Sequence, residues 1–143
     1  MGVIQSFLME MTSPYEEFSY LGRLKTTAVG GLRILGRQYD VDTQVEVDAY
    51  FESNNQVIVL EAKQSSFKKF KNNFSLHQLI LPLILVRTST KKPSNGVFMD
   101  WALDTKDKIV EFRFYNYEFS WLDMDLDPFS YKLSRSKRYI IDI

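Results

Sequence analysis

The chain has 143 residues, 45% hydrophobic and 15% aromatic, with 18 basic and 18 acidic side chains and no cysteine. That composition is globular and long enough for one domain with a substantial core, which excludes an intrinsically disordered chain and a disulfide scaffold. Zero net charge argues against a protein that grips nucleic acid by bulk charge alone, because such chains are usually basic.

Val3, Ile4, Phe7, Leu8 and Met11 recur at helical spacing. Ser13-Pro14-Tyr15-Glu16 reads as a second helix start, with Ser13 as N-cap, and Gly22 as the stop, so residues 1–22 form a helical N-terminal segment. The early acids Glu10, Glu16 and Glu17 read as helix surface or caps, with a further site acid on an early helix as the alternative. From Arg23 to Val41 the pattern is a β-hairpin with its tight turn at Gly30-Gly31. Arg23, Lys25, Arg33 and Arg37 give it positive charge.

Gln44-Val-Glu-Val-Asp-Ala-Tyr-Phe-Glu52 alternates apolar Val45, Val47, Ala49 and Phe51 with polar Glu46, Asp48, Tyr50 and Glu52, the period of a strand with one acidic face. Ser53-Asn54-Asn55 is turn chemistry. Val57-Ile-Val-Leu-Glu-Ala-Lys63 then reads as a buried central strand that turns polar at its end. Phe67-Lys-Lys-Phe-Lys-Asn-Asn73 follows as a basic cluster, and Ser75 to Val86 as a buried helix carrying Gln78 and Pro82. Strands are expected at Val97–Leu103 and Ile109–Phe119, with an acidic loop at Asp123–Pro128. A basic tail, Lys132–Arg138, then leads to an apolar edge strand. Neither repeats nor linkers interrupt this order. The expectation is one domain, residues 1–143, with a sheet core over 23–143 and one buried helix near 74–87.

The first residues lack a basic segment followed by an apolar core, and the run from Leu79 to Val86 is too short to span a bilayer. A soluble cytoplasmic protein with no membrane partner is expected, and the absence of cysteine fits a reducing compartment.

Pairing the two strands across the Ser53–Asn55 turn brings Asp48, Glu61 and Lys63 onto neighbouring pleats. Two carboxylates and one ammonium at the end of a buried strand are electrostatically lopsided as a structural ion-pair network. They point to a metal instead. Hard carboxylate oxygens suit Mg²⁺, which binds through one or two carboxylates plus water and phosphate, and Lys63 is placed to reach a water or a phosphate oxygen. Lys68, Lys69 and Lys71 stand next in sequence, where a phosphate backbone would run.

The spacing Asp48…Glu61-Ala62-Lys63, with Gln78 on a following helix, resembles the signature of the PD-(D/E)XK nuclease superfamily. Gln44-Val-Glu-Val-Asp48, Val59-Leu-Glu-Ala-Lys63, His77-Gln-Leu79 and Tyr131-Lys-Leu-Ser-Arg-Ser-Lys-Arg-Tyr139 look like the nuclease domain of type II restriction endonucleases. Val47 stands where that signature carries proline. The resemblance implies an α/β (α+β) restriction-endonuclease-like core, a central mixed β-sheet flanked by helices. It also implies a Mg²⁺-dependent DNA endonuclease, with Mn²⁺ able to substitute. Asp48 and Glu61 would hold the ion with the Ala62 carbonyl, Lys63 would assist the attacking water, and Gln78 and Glu46 would shape the site. Double-stranded DNA would lie against Lys68, Lys69, Lys71, Arg23 and Lys25, with a homodimer or a partner subunit supplying target recognition. Two alternatives stay open: a Holliday-junction or repair endonuclease of the same fold, and a non-catalytic split subunit that binds DNA or a partner.

Overall fold

In the computed structural model, residues 2–11, 16–34, 37–65, 77–122 and 125–142 are described. Their elements, in chain order, are α1 (Gly2–Met11), β1 (Ser19–Ile34), β2 (Arg37–Glu52), β3 (Val57–Gln64), α2 (His77–Thr90), β4 (Ser94–Asp104), β5 (Ile109–Leu122) and β6 (Asp125–Asp142). The fold is α+β: a mixed, curled sheet with few helices. The strands lie in sequence order, and the two ends of the sheet meet at one parallel pair, Ile34 with Leu126.

Every ladder is antiparallel except β3 with β4 and that closing pair. The chain leaves β3, passes through α2 and returns beside β3 in the same direction, since parallel neighbours require a crossover. β3 therefore sits inside the sheet with α2 across it. Its Val57-Ile-Val-Leu60 run is buried on both faces, as anticipated for a central strand. Val57 and Val59 pack with Leu79, Leu83, Ile84 and Val86 of α2 and with Phe98. Ile58 and Leu60 pack on the other face with Phe7 and Leu8 of α1, along with Ala49, Phe51, Val97, Met99 and Phe114. Phe7 stacks on Phe114 with ring centroids 4.6 Å apart, so the apolar stripe read from residues 3–11 is the face of α1 that meets the sheet.

The glycines settle two local details. Gly96 of β4 lies under α2, where an added Cβ would stand 2.7 Å from Leu79 Cδ1; the missing side chain lets the helix close on the sheet. Gly22, at φ +86°, sits within the register shifts of β1, where its left-handed backbone permits the bulge.

Three expectations are corrected. Gly30-Gly31 is not the hairpin turn: both glycines lie within β1, opposite Val41 and Asp40, and the ladder runs on to Ile34 opposite Arg37. The helical segment does not extend to residue 22, because β1 starts at Ser19 and Tyr20 pairs with Phe51; residues 12–15 lie outside the described ones. The acidic stretch after Leu122 is already strand from Asp125, and β6 runs unbroken through the basic tail, where β5 supplies a partner as far as Asp142.

Candidate functional site

β2 and β3 are paired over only four positions, from Glu52 with Val57 to Ala49 with Leu60. Beyond that point β2 stays with β1, while Glu61 to Gln64 remain paired only with β4. The two strands therefore part at Asp48. Ala49 belongs to the core on the α1 side and Val47 to the core on the α2 side, so β2 changes face across this one residue. The Ala62 N–H, left without a β2 carbonyl, donates instead to the Asp48 carboxylate at 2.8 Å.

The parting leaves a cleft of about 170 Å³ lined by Gln44, Val45, Glu46, Glu61, Gln78, Leu81 and Pro82. Glu61 and Asp48 are hydrogen-bonded to each other beside it. Burial pushes the Glu61 carboxyl up to about 8, and the hydrogen bond to Asp48 and the negative charges of Asp48 and Glu46 add to the rise. Lys63, two residues along the same strand face, opposes it. At neutral pH Glu61 therefore keeps its proton, the state expected of a partly desolvated carboxyl beside other acids.

Arg23 of β1 forms an ion pair with Glu46 and so reaches the cleft rim, and Lys25 stands opposite Glu46 in the β1–β2 ladder. Gln78 also lines the cleft, but as an exposed residue at the start of α2, not the buried amide expected from the apolar helix. Pro82, one turn later, has no N–H, so the Gln78 carbonyl loses the donor that a helix interior would supply. Lys68, Lys69 and Lys71 lie outside the described residues.

The donor set fits a small hard cation. Among the described residues no group of three or more His, Cys, Asp or Glu side chains stands together. Mg²⁺, however, takes one or two carboxylates and fills its remaining positions with water or substrate oxygen. Asp48 and Glu61 form such a pair, and the raised Glu61 carboxyl marks a place short of positive charge.

Two of the early acids, Glu10 and Glu16, play structural parts. Glu10 accepts from the Tyr139 hydroxyl at 2.8 Å and lies 3.5 Å from the Lys137 ammonium, tying α1 to β6. Glu16 accepts from Ser53, Asn55 and Gln56 and fixes the turn before β3, away from the Glu61 end of that strand. A further polar group went unread in the sequence. Asp100, only 3% exposed on β4, pairs in register with Lys63 and accepts a short hydrogen bond from Ser65. An aspartate inside the apolar run Val97-Phe-Met-Asp-Trp-Ala102 was the available signal.

Residues 2–140 match the family described as a domain of unknown function, DUF6997. The chain belongs to the DUF6997 family. That description attaches no activity to this DUF6997 domain, so its chemistry is argued from the cleft. No curated protein and no solved structure matches the chain. Among the described residues, no helix is long and apolar enough to cross a membrane.

Proposed function

We propose that the protein is a Mg²⁺-dependent DNA endonuclease with a restriction-endonuclease-like core. One observation carries this reading: the Asp48 and Glu61 carboxyls meet where β2 parts from β3, with Lys63 on the same face of β3. Their carboxylates would hold Mg²⁺, with the Ala62 carbonyl as a further oxygen, and the bound ion supplies Lewis-acid polarisation and charge neutralisation at the scissile phosphate. The Ala62 N–H fixes Asp48 through a 2.8 Å hydrogen bond, so the carboxylate is oriented before substrate arrives. Lys63 positions the attacking water and offers positive charge to the phosphate oxygens as negative charge builds up on them. Glu46, held by Arg23, keeps a third carboxylate at the rim, and Gln78 supplies an amide from the opposite wall.

Supercoiled plasmid incubated with the purified protein, with MgCl₂ or with EDTA, tests the assignment. Nicked or linear product that depends on Mg²⁺ is expected. Intact plasmid over a range of Mg²⁺ and Mn²⁺ concentrations would refute it.

A further inference from the structure

Register across the sheet places four charged residues in one transverse row. Lys63 pairs with Asp100, Asp100 with Arg113, and Arg113 with Arg138. Residues paired across neighbouring strands share a face, so this row lies on the Glu61 side of the sheet. The adjacent row is Glu61, Phe98, Tyr115 and Ser136. Where the two rows reach β5 and β6 there is a second cavity, about 370 Å³, lined by Arg113, Tyr115, Ser136, Lys137 and Arg138.

This cavity is built. Glu111, on β5, is 5% exposed and touches both arginines, 3.0 Å from Arg138 Nε and 3.3 Å from Arg113 Nε. One buried carboxylate thus orients two guanidinium groups and leaves the pair with a net positive charge. Arg138 is more than half exposed, and a phenol and a hydroxyl stand beside the pair. Asp100, the one acid between Lys63 and Arg113, is buried and directed to the Ser65 hydroxyl. A planar fork of fixed donors with neighbouring hydroxyls is a receptor for phosphate oxygens. Carboxylate ligands would find the same donors, but the location favours phosphate. Three interstrand steps separate β3 from β6, about 14 Å, a span of about four base-pair rises along the axis of duplex DNA.

We infer that the Arg113–Arg138 cavity is a backbone-phosphate subsite for the nucleic-acid strand whose cleaved phosphodiester lies at Lys63. The inference rests on the endonuclease reading, and the experiment separates the two. Binding is measured in EDTA by fluorescence anisotropy of a labelled DNA duplex, and cleavage is measured separately with Mg²⁺. Arg138→Gln is expected to weaken duplex binding about tenfold and to lower the slope of log affinity against log salt by about one. Ser136→Asp, which leaves Glu111 and its arginines in place, is expected to weaken binding to a similar degree. Arg138→Lys, which keeps charge but loses the fork, falls between. Lys132→Gln, on the same strand but outside the cavity, removes an equal charge and is expected to stay within about twofold of wild type. Equal losses for Lys132→Gln and Arg138→Gln, unchanged binding in Ser136→Asp, or no duplex binding by the wild type would each overturn the subsite. Duplex binding that depends on Arg138, with no cleavage in any metal, would retain the subsite and reject the endonuclease.

Discussion

The Asp48 carboxylate accepts the backbone N–H of Ala62 at 2.8 Å, and this bond bridges the first position at which β2 no longer pairs with β3. One acid thereby closes a gap in the sheet and stands beside Glu61, which lines the cleft that the gap creates. The two roles can be separated. Asp48→Asn keeps an acceptor for Ala62 and removes the charge, so its stability is expected to stay within about 1 kcal/mol of wild type while cleavage falls to background. Asp48→Ala loses both, with a further cost of about 1–2 kcal/mol for the unpaired N–H. Urea titrations of both variants, read beside plasmid cleavage, check this; equal activity in Asp48→Asn would remove the acid from the mechanism.

The raised Glu61 carboxyl sets the sign of a pH effect. Its value is about 8 in the folded protein against an ordinary 4.5, so between those values the folded chain keeps a proton that the unfolded chain has lost. The stability from that proton is fully present below about pH 4.5 and is lost as pH rises through about 8. The metal-free Tm should therefore decline across this window, and Glu61→Gln should flatten the decline. Mg²⁺ competes with the same proton, so its uptake at neutral pH should release protons, seen as a buffer-dependent heat in calorimetry. A melting profile equally steep in Glu61→Gln would place the titration elsewhere.

Lys63 lowers the Glu61 carboxyl from two positions along the same strand. Replacing it by alanine removes the cation that faces the acid pair and the substrate together. Cleavage by Lys63→Ala is expected to drop at least about 100-fold, in the range for loss of a positioned proton-handling group. Duplex affinity in EDTA should change by less than about fivefold, since one phosphate contact among several is lost. A parallel fall in affinity and rate would instead make Lys63 a simple binding residue.

The strands that carry these three side chains were legible because their signals are local. The acidic alternation of residues 44–52, the Ser53–Asn55 turn and the apolar run before Glu61 define a hairpin, and the hairpin register alone brings Asp48 next to Glu61. What failed was set by distant partners. Gly30-Gly31 looks like a turn in isolation, yet the long β1–β2 ladder holds it extended. α2 is apolar nearly all round, so nothing in its spacing indicated which side Gln78 would occupy. The Lys63–Asp100–Arg113–Arg138 row depends on three separate ladders, one reached only by the crossover through α2, and no single stretch of sequence encodes it.

Gly96 links the core to the cleft, because the helix that rests on it carries Gln78, Leu81 and Pro82 into the cleft wall. A methyl group at position 96 would stand 2.7 Å from Leu79 Cδ1, and Leu79 is fully buried in one cluster with Val57, Val59 and Leu83. Overpacking of this kind costs about 1–3 kcal/mol. Gly96→Ala should therefore melt roughly 3–10 °C lower than wild type. Relief by lifting α2 would widen the cleft, so cleavage should weaken in the surviving folded protein without any change to an acid or to Lys63. The compensating variant Gly96→Ala/Leu79→Ala removes the colliding side chain at the expense of a cavity, and it should cost less than the sum of the two single changes, since the sites share one contact. Strict additivity in thermal melts of the four proteins would show that the helix does not rest on Gly96.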